Sequence, residues 1–219
     1  MPKQALLLLG GTWHDFKGFA QWVKPLLAEQ GYAVVSTYDP DALLRLREDG
    51  TALVVQYTSF GAHLQFPEAT PGLTAAQTEA LRAWVSDGGR LLGVHSATVV
   101  GVAPNEAQQM LLGARFVEHP PQFCFGVYPL EREHPMLTDV EALMVHDEFY
   151  MQVYGDDCDV LMVSLDRGRA YPMVWTRQEG AGRVAYVGMG HSAAVWQLEG
   201  YGQLMRNTVA WMQGPEARA

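Results

Sequence analysis

One stretch decides the fold: Gly89-Arg90-Leu91-Leu92-Gly93-Val94-His95-Ser96-Ala97. Its apolar run, Leu91–Val94, predicts a short buried strand, and a His-Ser pair follows at the point where the chain must turn. In open α/β sheets, ligands bind in the crevice outside the carboxyl ends of the strands. The sequence therefore predicts that chemistry takes place around His95 and Ser96.

Strand patterns recur before this stretch. Apolar runs at Ala5–Leu9, Ala33–Thr37 and Ala52–Tyr57 predict three strands. The first run is apolar at every position, as expected of a strand that is buried on both faces of a sheet. The third run ends in polar residues, so Tyr57 is a candidate for contact with a ligand.

Two helix patterns alternate with these strands. The first is an amphipathic stretch around Phe19–Leu27, in which Pro25 either kinks the helix or delays its start. The second begins at the capping-box pair Thr74 and Gln77 and ends near Gly88. The alternation of strands and helices predicts a parallel sheet with helices on both faces.

The alternation of strand and helix patterns ends after His95. Strand-like runs follow with few helical patterns between them, at Phe123–Tyr128, Leu143–His146, Val160–Leu165, Pro172–Thr176 and Arg183–Val187. Turn residues at Glu179–Gly182 predict that the last two runs form a hairpin. We therefore expect a single α/β domain over residues 1–219, with three layers, a mostly parallel sheet and antiparallel additions in the second half.

Composition limits the partners of this chain. It has 24 acidic and 15 basic residues, and the net charge of -9 repels phosphate backbones and anionic lipid. Nucleic acid and membrane partners are therefore not expected, whereas a homodimer is left open. The two cysteines, Cys124 and Cys158, lack metal-site spacing and are expected to be free thiols in a reducing cytoplasm. The apolar run Ala5–Leu9 is too short for a signal peptide or a membrane span.

Histidines collect at the ends of predicted strands, namely His14, His95, His146 and His191. Any one of them could be a structural histidine, but the paired patterns His95-Ser96 and His191-Ser192 favour a shared functional crevice. The other two histidines in polar surroundings, His63 and His134, are expected at the surface.

An acidic pair follows one of these histidines. Asp147 and Glu148 come directly after His146, where a carboxylate could orient an imidazole, bind a divalent metal or act as a general base. The alternative is a solvated turn between two strands. His119 precedes two prolines and lies in a rigid loop.

Ser96 does not fit a serine hydrolase. The nucleophile elbow requires Gly-x-Ser-x-Gly, and here histidine takes the place of that serine. The spacing therefore puts His95 at the exposed apex of the turn, where it would act as a ligand, an acid or a base. Three tryptophans lie near the polar clusters, Trp13, Trp175 and Trp196, and their rings would suit a sugar, although core packing is the more frequent role.

The ordered set of motifs resembles the ThuA-like family, named for trehalose utilisation and built on the class I glutamine amidotransferase-like, flavodoxin-like fold. The matching motifs are Gly93-Val-His-Ser-Ala97, Gly113-Ala-Arg-Phe116 with His119-Pro120, His134-Pro135, Asp147-Glu148-x-Tyr150, Pro172-Met-Val-Trp175 and Gly182-Arg-Val-x-Tyr-x-x-x-Gly190-His191. No single motif is specific, but their order over about the last 130 residues is.

The resemblance implies chemistry different from that of glutamine amidotransferases. Those enzymes carry a cysteine nucleophile at the strand-end turn, where this chain has His95, and His191 resembles their later histidine. Neither cysteine is placed to replace the nucleophile, so no glutaminase activity is expected. The resemblance implies a role in carbohydrate metabolism, on a disaccharide, a glycoside or a keto-sugar.

These arguments give a set of candidate residues. Catalysis is assigned to His95, His191 and Glu148, and substrate binding to His14, Tyr57, Ser96, His119, Asp147 and Trp175. A divalent metal, whether zinc, manganese, nickel or iron, could be held by His14, His95 and His191. These residues would fit an isomerase, a lyase or a hydrolase. They do not fit a retaining glycosidase, because the sequence shows no convincing pair of carboxylates to flank a glycosidic bond. The alternatives are a sugar-binding or regulatory module without catalysis and, least favoured, a structural subunit.

Overall fold

The structure is a computed structural model that describes residues 2–61, 72–101, 105–131 and 133–214. His63 lies outside these residues. The strands are β1 (Lys3–Gly11), β2 (Tyr32–Thr37), β3 (Thr51–Ser59), β4 (Arg90–Val94), β5 (Ala114–Glu118), β6 (Phe123–Pro129), β7 (Leu143–Asp147), β8 (Met151–Tyr154), β9 (Asp159–Asp166), β10 (Arg169–Glu179) and β11 (Gly182–Val187). The helices are α1 (Phe16–Glu29), α2 (Ala75–Ser86), α3 (Glu106–Leu112), α4 (Ala193–Trp196) and α5 (Glu199–Gln213).

Nine strands form one mixed sheet in the order β2-β1-β3-β4-β11-β10-β9-β6-β7. The first five run parallel, and the last four are added antiparallel. The predicted hairpin is present, because Glu179 pairs with Gly182 in the turn from β10 to β11. The sequence thus predicts the parallel core and its antiparallel additions, but parallel pairing is confined to five of the nine strands.

Helices cover both faces of the sheet, as the sequence predicts. On one face α1, α4 and α5 pack on the strands, with Phe19 and Val209 in the same apolar core as Val55. On the other face α2 and α3 bury Leu81 and Leu111 against the strands. Within the described part of the chain, no helix has the length and apolar character needed to cross a membrane.

Side-chain caps fix where the helices begin. The Asp15 carboxylate accepts a hydrogen bond of 2.8 Å from the backbone N–H of Gly18, so α1 begins at Phe16 and continues through Pro25. The helix therefore does not start late. Both hydrogen bonds of the capping box between Thr74 and Gln77 are present at the start of α2.

A second, two-stranded sheet was missed by the sequence analysis. Strands β5 and β8 pair antiparallel, with Glu118 opposite Met151. Both strands are short and half-exposed, so they lack the apolar run or strict alternation that indicates a strand. Their pairing brings the residue that follows β5, His119, close to the turn that precedes β8 and carries Glu148.

Candidate functional site

Four side chains meet at the carboxyl end of the sheet and form what we call the four-residue cluster: His14, His95, Glu148 and His191. His14, His95 and His191 follow β1, β4 and β11, and Glu148 follows β7. The Glu148 Oε2 atom lies 3.9 Å from His14 Nε2, 3.3 Å from His95 Nε2 and 3.2 Å from His191 Nδ1. The structure therefore brings together all three residues assigned to catalysis, with His14 added.

His95 sits at a strained turn. Its φ is 47°, which lies in the left-handed region, where a residue other than glycine costs about 1–3 kcal/mol. The turn is a short 3-10 segment, His95–Thr98, that follows β4 directly. The imidazole is wholly buried and stacks on the Tyr150 ring, with 4.3 Å between centroids. His95 is thus at the apex of the turn, as the sequence predicts, but it is not exposed.

Backbone carbonyls fix the tautomers of two histidines. His14 Nδ1 is 3.0 Å from the Thr12 carbonyl oxygen, and His95 Nδ1 is 2.9 Å from the Gly188 carbonyl oxygen. Because a carbonyl oxygen can only accept, each Nδ1 carries the proton and donates it. The Nε2 atoms of His14 and His95 therefore turn their lone pairs toward Glu148 when the rings are neutral.

The cluster shifts the protonation of its own members. Burial and the neighbouring His95 lower the pKa of His14 to about 3, so this ring is neutral at pH 7. Burial opposes a charge on His95, but the Asp147 and Glu148 carboxylates raise its pKa above the ordinary value. Burial would likewise raise the pKa of Glu148, yet the imidazoles of His191 and His95 hold it well below its usual range. Glu148 is therefore an anion at neutral pH.

Two residues assigned to substrate binding, Asp147 and Tyr57, instead form hydrogen bonds with the backbone around the site. Asp147 is wholly buried and accepts hydrogen bonds from the backbone N–H groups of Glu148 (2.8 Å), Gly190 (2.7 Å) and His191 (3.2 Å). The hydroxyl of Tyr57, also wholly buried, lies 3.0 Å from the Gly190 carbonyl oxygen. Both side chains are buried and fix the loop that carries His191.

Ser96 and Trp175 also differ from their assigned role. Both are wholly buried. Within the described residues the Ser96 hydroxyl oxygen has no hydrogen-bond partner. The Trp175 indole donates to the Leu112 carbonyl oxygen at 2.9 Å and stacks on the Tyr186 ring at 4.1 Å between centroids. Trp175 is therefore part of the core, because its long apolar body fills the space between the sheet and α3.

A cavity of about 370 Å³ opens on the cluster. His119 lies at its rim with 34% of the side chain exposed, and His119 Nε2 is 3.7 Å from Glu148 Oε1. Trp13 is half-exposed and has a φ of 75°, a strained value for a bulky residue. The lining consists of Trp13, His14, Ser59, Gly61, Val99, Phe116, His119, Glu148 and Tyr150.

Residue-type reasoning does not single out two side chains of the cavity wall, Phe116 and Tyr150. The Tyr150 ring lies between two imidazoles, 4.3 Å from His95 and 5.7 Å from His119 between centroids. Phe116 packs on Tyr150 at 4.5 Å and forms part of the cavity wall. The motifs that carry the family resemblance contain both residues, and that position in a motif was the available signal.

The other histidines lie outside the cluster. His146 lies near the end of β7 and is exposed, so its position at a strand end does not bring it into the cluster. His134 is half-buried, and its ring is 5.4 Å from the Trp211 ring between centroids, so it is not a free surface residue.

Comparisons with known proteins identify a family. The model of the ThuA family, described as trehalose utilisation, matches residues 4–212. The sequence has no significant match among curated proteins.

Solved structures share the fold. A ThuA-like protein from Parabacteroides merdae has a TM-score of 0.79 at 15% identity, over 100% of this chain and 93% of that chain. A ThuA-like protein from Bacteroides uniformis has a TM-score of 0.72 at 17% identity, over 98% of this chain and 93% of that chain. A cold-adapted beta-galactosidase from Rahnella sp. R3 has a TM-score of 0.69 at 16% identity, and the match covers 99% of this chain and 32% of that chain.

Proposed function

The chain belongs to the ThuA family of trehalose utilisation, and from that premise we propose that it is an enzyme acting on a disaccharide, a glycoside or a keto-sugar. The single observation that carries the proposal is the meeting of three histidines and one glutamate in a cluster, two of whose members, His14 and Glu148, line a cavity. Buried groups with displaced pKa values in a cleft are typical of active sites. The reaction is an isomerisation, a lyase reaction or a hydrolysis, without glutaminase activity.

The composition of the cavity suits a sugar. Aromatic faces from Trp13, Phe116 and Tyr150 stand beside polar groups of His119 and Glu148. Sugar rings present apolar C–H faces and a rim of hydroxyl groups, which such a wall can match with stacking and hydrogen bonds. A volume of about 370 Å³ is at the small end of the range for small-molecule sites, about 300–1,000 Å³.

His119 is the residue that moves a proton. Its Nδ1 donates to the Pro120 carbonyl oxygen at 2.8 Å, so the lone pair of Nε2 is free to accept a proton. The ring is part-exposed at the cavity rim, where it can reach a hydroxyl or carbonyl group of a bound sugar. Glu148 Oε1 lies 3.7 Å from His119 Nε2, so the two side chains face the same part of the cavity.

The turn after β4 has no thiol that could form a thioester. Its first residue is His95. Cys124 is exposed on β6, and Cys158 lies between β8 and β9, so neither thiol is at the turn. Because both cysteines are free, we place the reaction in the reducing cytoplasm.

Turnover assays over a panel of disaccharides, glycosides and their keto derivatives test the proposal. The wild-type protein should convert one class of these sugars, and His119→Ala should lower kcat by about 100-fold or more, the usual contribution of a general acid or base. His146→Ala, which removes an exposed histidine from the neighbouring strand, is the matched control and should keep the wild-type rate. Stabilisation by a sugar without any turnover would instead favour a sugar-binding module.

A further inference from the structure

Within the described residues, two of the four converging nitrogen and oxygen atoms of the four-residue cluster have no hydrogen-bond partner. His14 Nε2 and His191 Nδ1 are buried and, within the described residues, make no hydrogen bond. His95 Nε2 and the Glu148 carboxylate face the same point. Lone pairs and an anion that converge in a buried site repel each other, and the low local dielectric strengthens that repulsion. A cation between these atoms removes the repulsion and satisfies every one of them.

We propose that the four-residue cluster binds one divalent first-row transition metal ion. The ligand atoms are His14 Nε2, His95 Nε2, His191 Nδ1 and Glu148 Oε2, which all lie within 4.8 Å of one another. Metal–ligand bonds of about 2.0–2.2 Å in a tetrahedral site place neighbouring ligand atoms about 3.3–3.6 Å apart. The separations of 3.2 Å and 3.3 Å from Glu148 Oε2 to His191 and His95 are close to that value.

The surroundings of the cluster are those of a supported metal site. Histidine ligands in proteins usually donate their second ring N–H to a carbonyl or carboxylate, which fixes the ring and the tautomer. His14 Nδ1 donates to the Thr12 carbonyl oxygen, and His95 Nδ1 donates to the Gly188 carbonyl oxygen. Asp147 holds the backbone of the two remaining ligands, Glu148 and His191. Hydrogen bonds therefore orient the rings of His14 and His95 and fix the backbone of Glu148 and His191.

The donor set narrows the choice of metal. Three imidazole nitrogens and one carboxylate oxygen suit zinc, iron, nickel or manganese, and the lack of oxygen-rich ligands disfavours calcium and magnesium. His14 and Glu148 line the cavity, so the metal position borders the space where a sugar binds. Bound there, the metal would act as a Lewis acid toward a carbonyl or hydroxyl oxygen of the sugar. The metal site does not depend on the sugar, and its test needs none.

Metal binding to the full chain is measured directly. The protein is stripped with a chelator, titrated separately with Zn²⁺, Mn²⁺, Fe²⁺ and Ni²⁺, and analysed by calorimetry, thermal unfolding and elemental analysis. We expect one metal ion per chain and a melting temperature that rises with the metal concentration. Co²⁺ serves as a spectroscopic probe, and its visible absorption should report nitrogen and oxygen ligands and be displaced by Zn²⁺.

Two variants and one control decide the assignment. Glu148→Gln keeps the size of the side chain, His191→Ala removes a less buried ligand, and His146→Ala removes an exposed histidine close by in sequence. The first two should lose more affinity than the roughly 10–100-fold that loss of an outer-sphere partner costs, and the control should bind as the wild type does. Using two variants keeps the test valid if one fails to fold.

Either of two results would contradict the metal site. In the first, the wild-type protein binds none of these metals. In the second, the Glu148→Gln and His191→Ala proteins bind metal as tightly as the His146→Ala protein does. Metal binding without turnover of any sugar supports the metal site and contradicts only the proposed function. Full sugar turnover by a protein that binds no metal contradicts the metal site and leaves the proposed function intact.

Discussion

The carboxylate of Asp147 accepts a hydrogen bond of 2.7 Å from the backbone N–H of Gly190, across 43 positions of sequence. Through its other oxygen, Asp147 also accepts from the N–H groups of Glu148 and His191. A single buried side chain thus fixes the end of β7 to the loop after β11. The distance between Glu148 and His191 depends on this connection, so Asp147 positions two members of the four-residue cluster.

Replacing Asp147 with Asn should therefore loosen the site. The amide has one acceptor oxygen, so its NH₂ group must face a backbone N–H, and the buried mismatch should lower the free energy of unfolding by about 1–3 kcal/mol. Urea unfolding measures the loss, and kcat for any sugar that is converted should fall more than KM rises. Asp156→Asn, at an exposed aspartate, is the control. Equal stability of the two variants would contradict the positioning role.

Gly11, three residues before His14, packs closely against the backbone of Ser59. Its φ is 110°, and a Cβ there would lie 2.0 Å from the Ser59 carbonyl oxygen. That oxygen accepts the N–H of Thr12, whose own carbonyl orients His14. Gly11→Ala should destabilise the protein through backbone strain of about 1–2 kcal/mol and overpacking of about 1–3 kcal/mol.

The Gly31→Ala variant separates the contribution of backbone strain from that of overpacking. Gly31 also has a positive φ, 85°, but no atom lies within 4 Å of its Cβ position. The Gly31 variant should show the strain alone, and only the Gly11 variant should also weaken metal binding. Thermal or urea unfolding of both proteins measures the difference, which should vanish if the close contact with Ser59 is unimportant.

The two thiols should react at different rates. Cys124 is exposed, whereas burial raises the pKa of the Cys158 thiol to about 11, and its Sγ donates to the Gly113 carbonyl oxygen at 3.2 Å. Since the thiolate is the reactive form, Cys158 is almost fully protonated at pH 8 and gains reactivity only as the pH rises toward 11.

Thiol labelling at pH 8 followed by mass spectrometry measures this difference. Labelling should modify Cys124 in the wild type, and a Cys124→Ser protein should be labelled slowly. Rapid labelling of that variant at pH 8 would show that Cys158 is neither buried nor shifted as the structure indicates.

The two tryptophans Trp13 and Trp175 should behave in opposite ways. Trp13→Ala removes a half-exposed ring from the cavity wall and should raise KM for the converted sugar by about 3- to 10-fold, with little change in stability. Trp175→Phe removes a buried donor to the Leu112 carbonyl oxygen and should lower the free energy of unfolding by about 1–3 kcal/mol, with KM unchanged. A raised KM in the Trp175 variant would restore its role in substrate binding.

Local sequence patterns predicted most of the fold. The apolar run before His95, the capping box at Thr74 and the turn at Glu179–Gly182 each specify one element, and each element is present. The pairing of β5 with β8 was not predicted, because neither strand carries a local signal and the paired residues are 33 to 40 positions apart in sequence. Such contacts are decided by the packing of the completed sheet.

The site was predicted in its members but not in all their roles. Strand-end position alone pointed to His14, His95 and His191, because the carboxyl ends of parallel strands meet at one edge of the sheet. The same rule misassigned Tyr57 and Asp147, since a polar group at a strand end may face the backbone. Nearness to polar residues misassigned Trp175, whose ring lies in the core. Burial is a property of the assembled layers and has no local signature.

The sequence by itself determined the strands of the main sheet and their order along the chain, the family and the residue types available for chemistry, because periodicity, caps and turn residues act over a few positions. Only the tertiary structure decided that Glu148 lies among three histidines, that His119 stands at the rim, and that Asp147 faces inward. The reason is that these contacts join residues far apart along the chain, and the sheet brings them together only when both of its faces are packed.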